Sequence, residues 1–249
     1  MRLIPNEVAY AEKCLKYNRI DKSKPYRSVR VVILYFHFIH QMTKEDILDN
    51  IWLYIQRCDM EHKIDYNYLK NEYIDKVIQT TGGMKQVESV FITKNELDSI
   101  MNNDYPHSYR KVLFIMLVMF KAKYKTNGVF NCKIDAPETE IIRDAHVTMN
   151  KDKRKSMWKS FVQDGYATLS EYRKASETIL HYIDTKDEEI AIEVFDFDDY
   201  YMFFEQYKKG GRLKYCEVCG DLVLTKGNRT KYCKPCSKRV NIEKTNAKC

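Results

Sequence analysis

Two Cys-x-x-Cys pairs stand near the carboxyl end, in KYCEVCGDLVLTKGNRTKYCKPC over residues 214–236, with thirteen residues between Cys219 and Cys233. Two intervening residues let both sulfurs of a pair turn toward one centre. Cys216, Cys219, Cys233 and Cys236 thus supply the four thiolates of a closed tetrahedral site, with bonds of ~2.3 Å to zinc. Zinc is the expected ion, with iron or a redox dithiol pair as the alternatives. Such a set leaves no position for water or substrate, so the expected role of the metal is to hold shape.

The compartment supports a metal over disulfides. The opening residues MRLIPNEVAYAEKC carry charge at positions including 2, 7 and 12 and have no apolar segment of the kind an export signal needs. The longest apolar run, VLFIMLVMF at 112–120, is too short for a bilayer. The expected location is the cytoplasm, where paired cysteines serve metals or redox chemistry. Cys14, Cys58, Cys132 and Cys249 lack partner spacing and read as buried or incidental thiols.

The net charge of +7 is unevenly spread. From Lys208 to Lys248, twelve Lys or Arg stand against three acidic residues, a surplus of nine, which leaves the first 207 residues at about −2. Before that tail, Asp184–Glu205 holds nine acidic residues against Lys186, and KKGGR at 208–212 supplies a flexible break. Charge concentrated in this way favours an anionic partner, solubility alone being the other reading.

With 44% apolar and 13% aromatic residues the chain can build a core. Helices are expected at 6–18 and 26–40, the second rich enough in β-branched and aromatic residues that a strand is the alternative. A Thr43 and Asp46 cap opens the next helix, and DYNYLKNEYIDKVIQTTGG continues the pattern to Gly82 and Gly83. Residues 1–84 are therefore expected to form a helical bundle. A further helix at 93–101 is capped by Thr93 and Glu96, and a long apolar helix runs over 108–124. A short helix follows Pro137, and after the turn TMN comes the helix KDKRKSMWKSFVQ, with Met157, Trp158, Phe161 and Val162 inward. Strand-like runs at 166–172 and 178–184 follow.

Helix, helix, turn, helix, hairpin is an order that resembles winged-helix DNA-binding domains, in a segment placed at 85–207 with an acidic extension at its end. The resemblance implies that Lys151, Lys153, Arg154, Lys155 and Lys159 face double-stranded DNA, with Arg173 and Lys174 in the hairpin loop against the backbone. An ordinary solvated face, or a wing used for protein contact, is the alternative. The cysteine segment, placed at 208–249, resembles zinc-ribbon and treble-clef fingers, in which one pair sits on a knuckle and the other at a helix start. Its cations Lys226, Arg229, Lys231, Lys234, Lys238 and Arg239 suit phosphate contact. Nucleases of the treble-clef class need histidines in the finger, and the last histidine here is His181.

The expected fold class is thus mainly α with short β-hairpins, in three parts. The whole arrangement resembles DNA-binding proteins of phages and mobile elements from AT-rich Gram-positive bacteria, which implies a transcription regulator or replication factor. No Gly-rich phosphate loop, Gly-x-Ser-x-Gly or His-Glu-x-x-His is present, and the expectation is a protein without catalytic activity. Asp196 and Asp198 would share a face if DFDD were a strand, as a two-metal nuclease requires, an exposed strand edge being the other reading. The competing function is an adaptor or inhibitor that binds a host protein through the finger and the acidic, aromatic stretch before it. His146 is expected to pack or cap, not to ligate.

Overall fold

The computed structural model describes residues 4–128, 133–169, 177–184, 186–227 and 230–246. Their contacts gather into two compact units. One comprises Asn6–Gln86 with Glu217–Gly220, and the other comprises Met1–Pro5, Val87–Cys216 and Asp221–Cys249. The chain is mainly helical, with short antiparallel sheets.

In the first unit, α1 (Glu7–Tyr17) starts at Asn6, whose side chain accepts the Ala9 N–H, and ends at Asn18 in the left-handed region, φ 47°. Pro25 opens α2 (Pro25–Phe38), so the segment open to a strand reading is a helix. Its near-continuous apolar run has a positional cause. The helices α1, α3 (Lys44–Arg57) and α5 (Ile74–Gln79) all pack on it, burying Val29, Val31, Val32, Ile33 and Leu34. Thr43 caps α3 by accepting the Asp46 N–H. Between α4 (Tyr66–Tyr68) and α5 runs a π-helical turn, Leu69–Tyr73. Its wider repeat brings Leu69 and Ile74, five residues apart, to the same buried side.

The second unit is built around α7 (His107–Asn127), whose middle is buried on every side. Before it, β1 (Val90–Thr93) leads into α6 (Lys94–Met101), where Thr93 and Glu96 form a complete capping box. After it come β2 (Lys133–Asp135), α8 (Glu138–Asp144), α9 (Lys151–Gln163), β3 (Ala167–Leu169) and β4 (Glu177–Leu180). These three strands form one sheet in the order β2-β4-β3, with Ile134 opposite Thr178 and Ala167 opposite Leu180. Asn150 caps α9 by accepting the Lys153 N–H at 2.9 Å. Met157, Trp158 and Phe161 are buried as expected. Val162 is not: it is 44% exposed in the last turn, where the chain swings away at Gly165, φ 74°.

A fifth strand, β5 (Ile190–Val194), pairs antiparallel with β1, Val90 opposite Val194. It stops before DFDD, so the strand face through Asp196 and Asp198 is not formed. Asp196 is buried instead, and its Oδ1 accepts the N–H groups of Asp198 at 2.8 Å and Asp199 at 3.1 Å, turning the chain into α10 (Tyr201–Lys209). His146, at φ 49°, stacks its ring on Tyr201 with centroids 3.9 Å apart. No described helix is long and apolar enough to cross a membrane.

Candidate metal centre

Beyond Gly210 and Gly211, strands β6 (Arg212–Tyr215) and β7 (Leu222–Thr225) pair from Arg212 opposite Thr225 to Tyr215 opposite Leu222. Residues 216–221 are therefore the connecting turn. The Cys216 N–H donates to the Asp221 carbonyl at 2.9 Å, and Gly220 takes φ 69°, a conformation that costs other residues energy. The first cysteine pair sits on this knuckle. The second opens α11 (Lys234–Asn246), where the Ser237 N–H donates to the Cys233 carbonyl at 2.8 Å and Cys236 lies in the first turn.

All four Sγ atoms lie within 4.8 Å of one another, and Cys216 and Cys236 are buried. A tetrahedron with ~2.3 Å metal–sulfur bonds has edges of about 3.8 Å, so a small inward adjustment closes the set on one ion. The four cysteines could hold a metal ion, and the donor set is thiolate throughout. Among the described residues no other group of His, Cys, Asp and Glu has that geometry.

The hairpin that carries the knuckle is built into its unit. Both strands pack on α10, Leu222 is buried in the core that holds Phe203 and Phe204, and its N–H donates to Asp199 Oδ2 at 3.1 Å. In contrast, α11 buries only Cys236, and its Ile242 is 61% exposed.

The cations expected to meet an anionic partner divide by environment. Lys151, Lys153, Lys155 and Lys159 are exposed on α9. Arg154 is partly buried, with its Nε 3.6 Å from Glu138 Oε2 of α8. Lys226, Lys231, Lys234, Lys238 and Arg239 are exposed, Arg239 lying 3.8 Å from Glu243 on the same helix. Arg173, Lys174 and Arg229 fall outside the described residues, as do Cys132 and Cys249.

A charged cluster that local sequence did not announce sits where α10 meets α7. Glu205 Oε1 is 3.0 Å from both His107 Nε2 and Lys111 Nζ, while Oε2 is 2.6 Å from Lys209 Nζ. Burial pushes the carboxyl pKa up, but these three partners outweigh it and hold it down at about 2. No known family model, curated protein or solved structure matches the chain.

Proposed function

We propose that the chain is a non-catalytic protein of double-stranded DNA, a regulator or replication factor of a phage or mobile element, with a structural zinc ion on Cys216, Cys219, Cys233 and Cys236. The observation that carries the reading is the exposed lysines of α9, Lys151, Lys155 and Lys159 along one face and Lys153 beside it, on a helix that follows α8 across a short turn and precedes the β3–β4 pair. The succession α7, β2, α8, α9, β3, β4 with sheet order β2-β4-β3 supports a winged-helix reading, and with it α9 as the element that enters the major groove. The pairing of Arg154 with Glu138 supports giving it the work of orienting α9, leaving Lys151, Lys153, Lys155 and Lys159 to meet phosphates. Four thiolates split between a hairpin knuckle and a helix start support a treble-clef-like finger and favour zinc, which prefers tetrahedral sulfur. The turn-forming work of Asp196 argues against a carboxylate metal site for nuclease chemistry.

Fluorescence anisotropy with labelled duplex DNA across a salt series tests the reading. Binding should weaken with salt along a linear log–log dependence, and replacing Lys153 and Lys155 by Gln should flatten its slope by about 0.9 for each phosphate no longer neutralised. No duplex binding at low salt would overturn it. A second reading, docking of a host protein, draws on the groove beside β5 and α10, lined by Phe195, Phe203, Tyr207 and Leu213, where Phe195 and Tyr207 stand half exposed.

A further inference from the structure

The end of α1 and the turn after it hold a second concentration of positive charge, hidden by the mild acidity of the first 207 residues taken together. Residues 13–27, KCLKYNRIDKSKPYR, carry six Lys or Arg against Asp21 alone. Lys16, Lys22 and Lys24 are exposed. Asp21 is committed to shaping the turn: its Oδ1 accepts from the Ser23 N–H at 3.0 Å, the Ser23 hydroxyl at 2.6 Å and the Lys24 N–H at 3.2 Å. Its other oxygen is 3.9 Å from Arg27. Lys63 Nζ donates to the Lys22 carbonyl at 3.2 Å, adding a seventh cation. The turn is thus a fixed loop with its lysines turned to solvent.

What fixes it on the other side is the first cysteine knuckle, whose residues Glu217–Gly220 belong to the same compact unit. The Tyr17 ring lies so close to Gly220 that a Cβ there would stand 2.3 Å from Tyr17 Cε2. Arg19 Nη1 donates to the Cys219 carbonyl at 3.4 Å, and Lys16 Nζ sits 5.3 Å from the Tyr17 ring centroid. Only glycine leaves room for this stacking. Residues Cys219 and Gly220 thus meet the end of α1, about 200 residues earlier in the chain.

We infer that the α1–α2 turn, through Lys16, Lys22 and Lys24, is a further phosphate-contacting element for duplex DNA, positioned by Tyr17 and Arg19 on the metal-binding knuckle. The inference rests on the DNA-binding reading above. Cations on a preformed loop contact phosphates at a lower ordering cost than those on an unfolded segment, and they act without regard to sequence.

The test compares the full-length, metal-loaded protein with a variant carrying Lys16→Gln, Lys22→Gln and Lys24→Gln, on duplexes of unrelated sequence. These exposed substitutions leave the fold and metal content intact. The log K against log salt slope should fall by up to about 2.7 on every duplex, at about 0.9 for each phosphate. An unchanged slope, with binding by the unsubstituted chain intact, overturns this inference alone. Failure of the unsubstituted chain to bind overturns the DNA reading as well. Seating on the knuckle is tested separately with Tyr17→Ala. Trypsin cleavage after Arg19 and Lys22 should rise several-fold with metal content unchanged, and an unaltered cleavage rate would overturn the positioning role of the ring.

Discussion

At the scale of single residues, the thiolates of Cys216, Cys219, Cys233 and Cys236 are the feature the sequence declared most openly, because a Cys-x-x-Cys spacing is a local geometric statement. Replacing Cys216 or Cys233 with Ser should abolish stoichiometric metal, read by elemental analysis of the purified protein, since three thiolates and a hydroxyl hold zinc far more weakly. Glu205 is the opposite case: its partners His107 and Lys111 lie almost a hundred residues away, and no local signal announces them. Its folded pKa of about 2 lies below the ordinary carboxylate value, so its contribution to stability is complete above about pH 4.5 and is lost as pH falls through 2. Urea denaturation of Glu205→Gln should show a loss on the order of 2 kcal/mol at neutral pH, after allowance for screening, that shrinks toward zero near pH 2.

At the scale of elements, the helices and the β3–β4 pair were legible and the other strands were not, for a reason seen in α9 and β1. The helix has its Asn150 cap, its Met157–Phe161 stripe and its terminating Gly165 all within sixteen residues. The strand β1 is four residues long and finds its partner β5 a hundred residues later, and β2 joins a sheet whose other strands come after two helices. The same distance problem hid the true use of DFDD, which reads as an alternating strand until Asp196 is seen turning the chain. For α9, Arg154→Ala should cost at most about 1 kcal/mol of stability, because its partner Glu138 is about half exposed. If Arg154 orients the helix, the same variant should lower preference for a cognate site while changing the salt slope less than Lys153→Gln or Lys155→Gln, measured by anisotropy.

At the scale of the whole molecule, Gly210 and Gly211, where a flexible break was expected, both take positive φ, 67° and 103°. Yet the hairpin that follows is anchored by Leu222, buried with Phe203 and Phe204. Leu222→Ala should therefore destabilise its unit by about 2–4 kcal/mol, seen as a lower urea midpoint with no change in slope. Charge counting over long segments found the basic tail but averaged away the cations at 13–27, and it could not reveal the stacking of Tyr17 on Gly220.

The thirteen residues of α11 have one buried side chain among them, and that side chain is a cysteine of the metal set. A helix this short is marginal in water when no apolar face docks it. Its one buried side chain is thus a candidate ligand, and the helix would serve as an occupancy gauge: far-ultraviolet ellipticity belonging to about a dozen residues should appear with the ion and fade on chelation. The lysines along it would then pass between a rigid comb of charge and a loose cationic string, so that the supply of metal would set the order of the end of the basic tail.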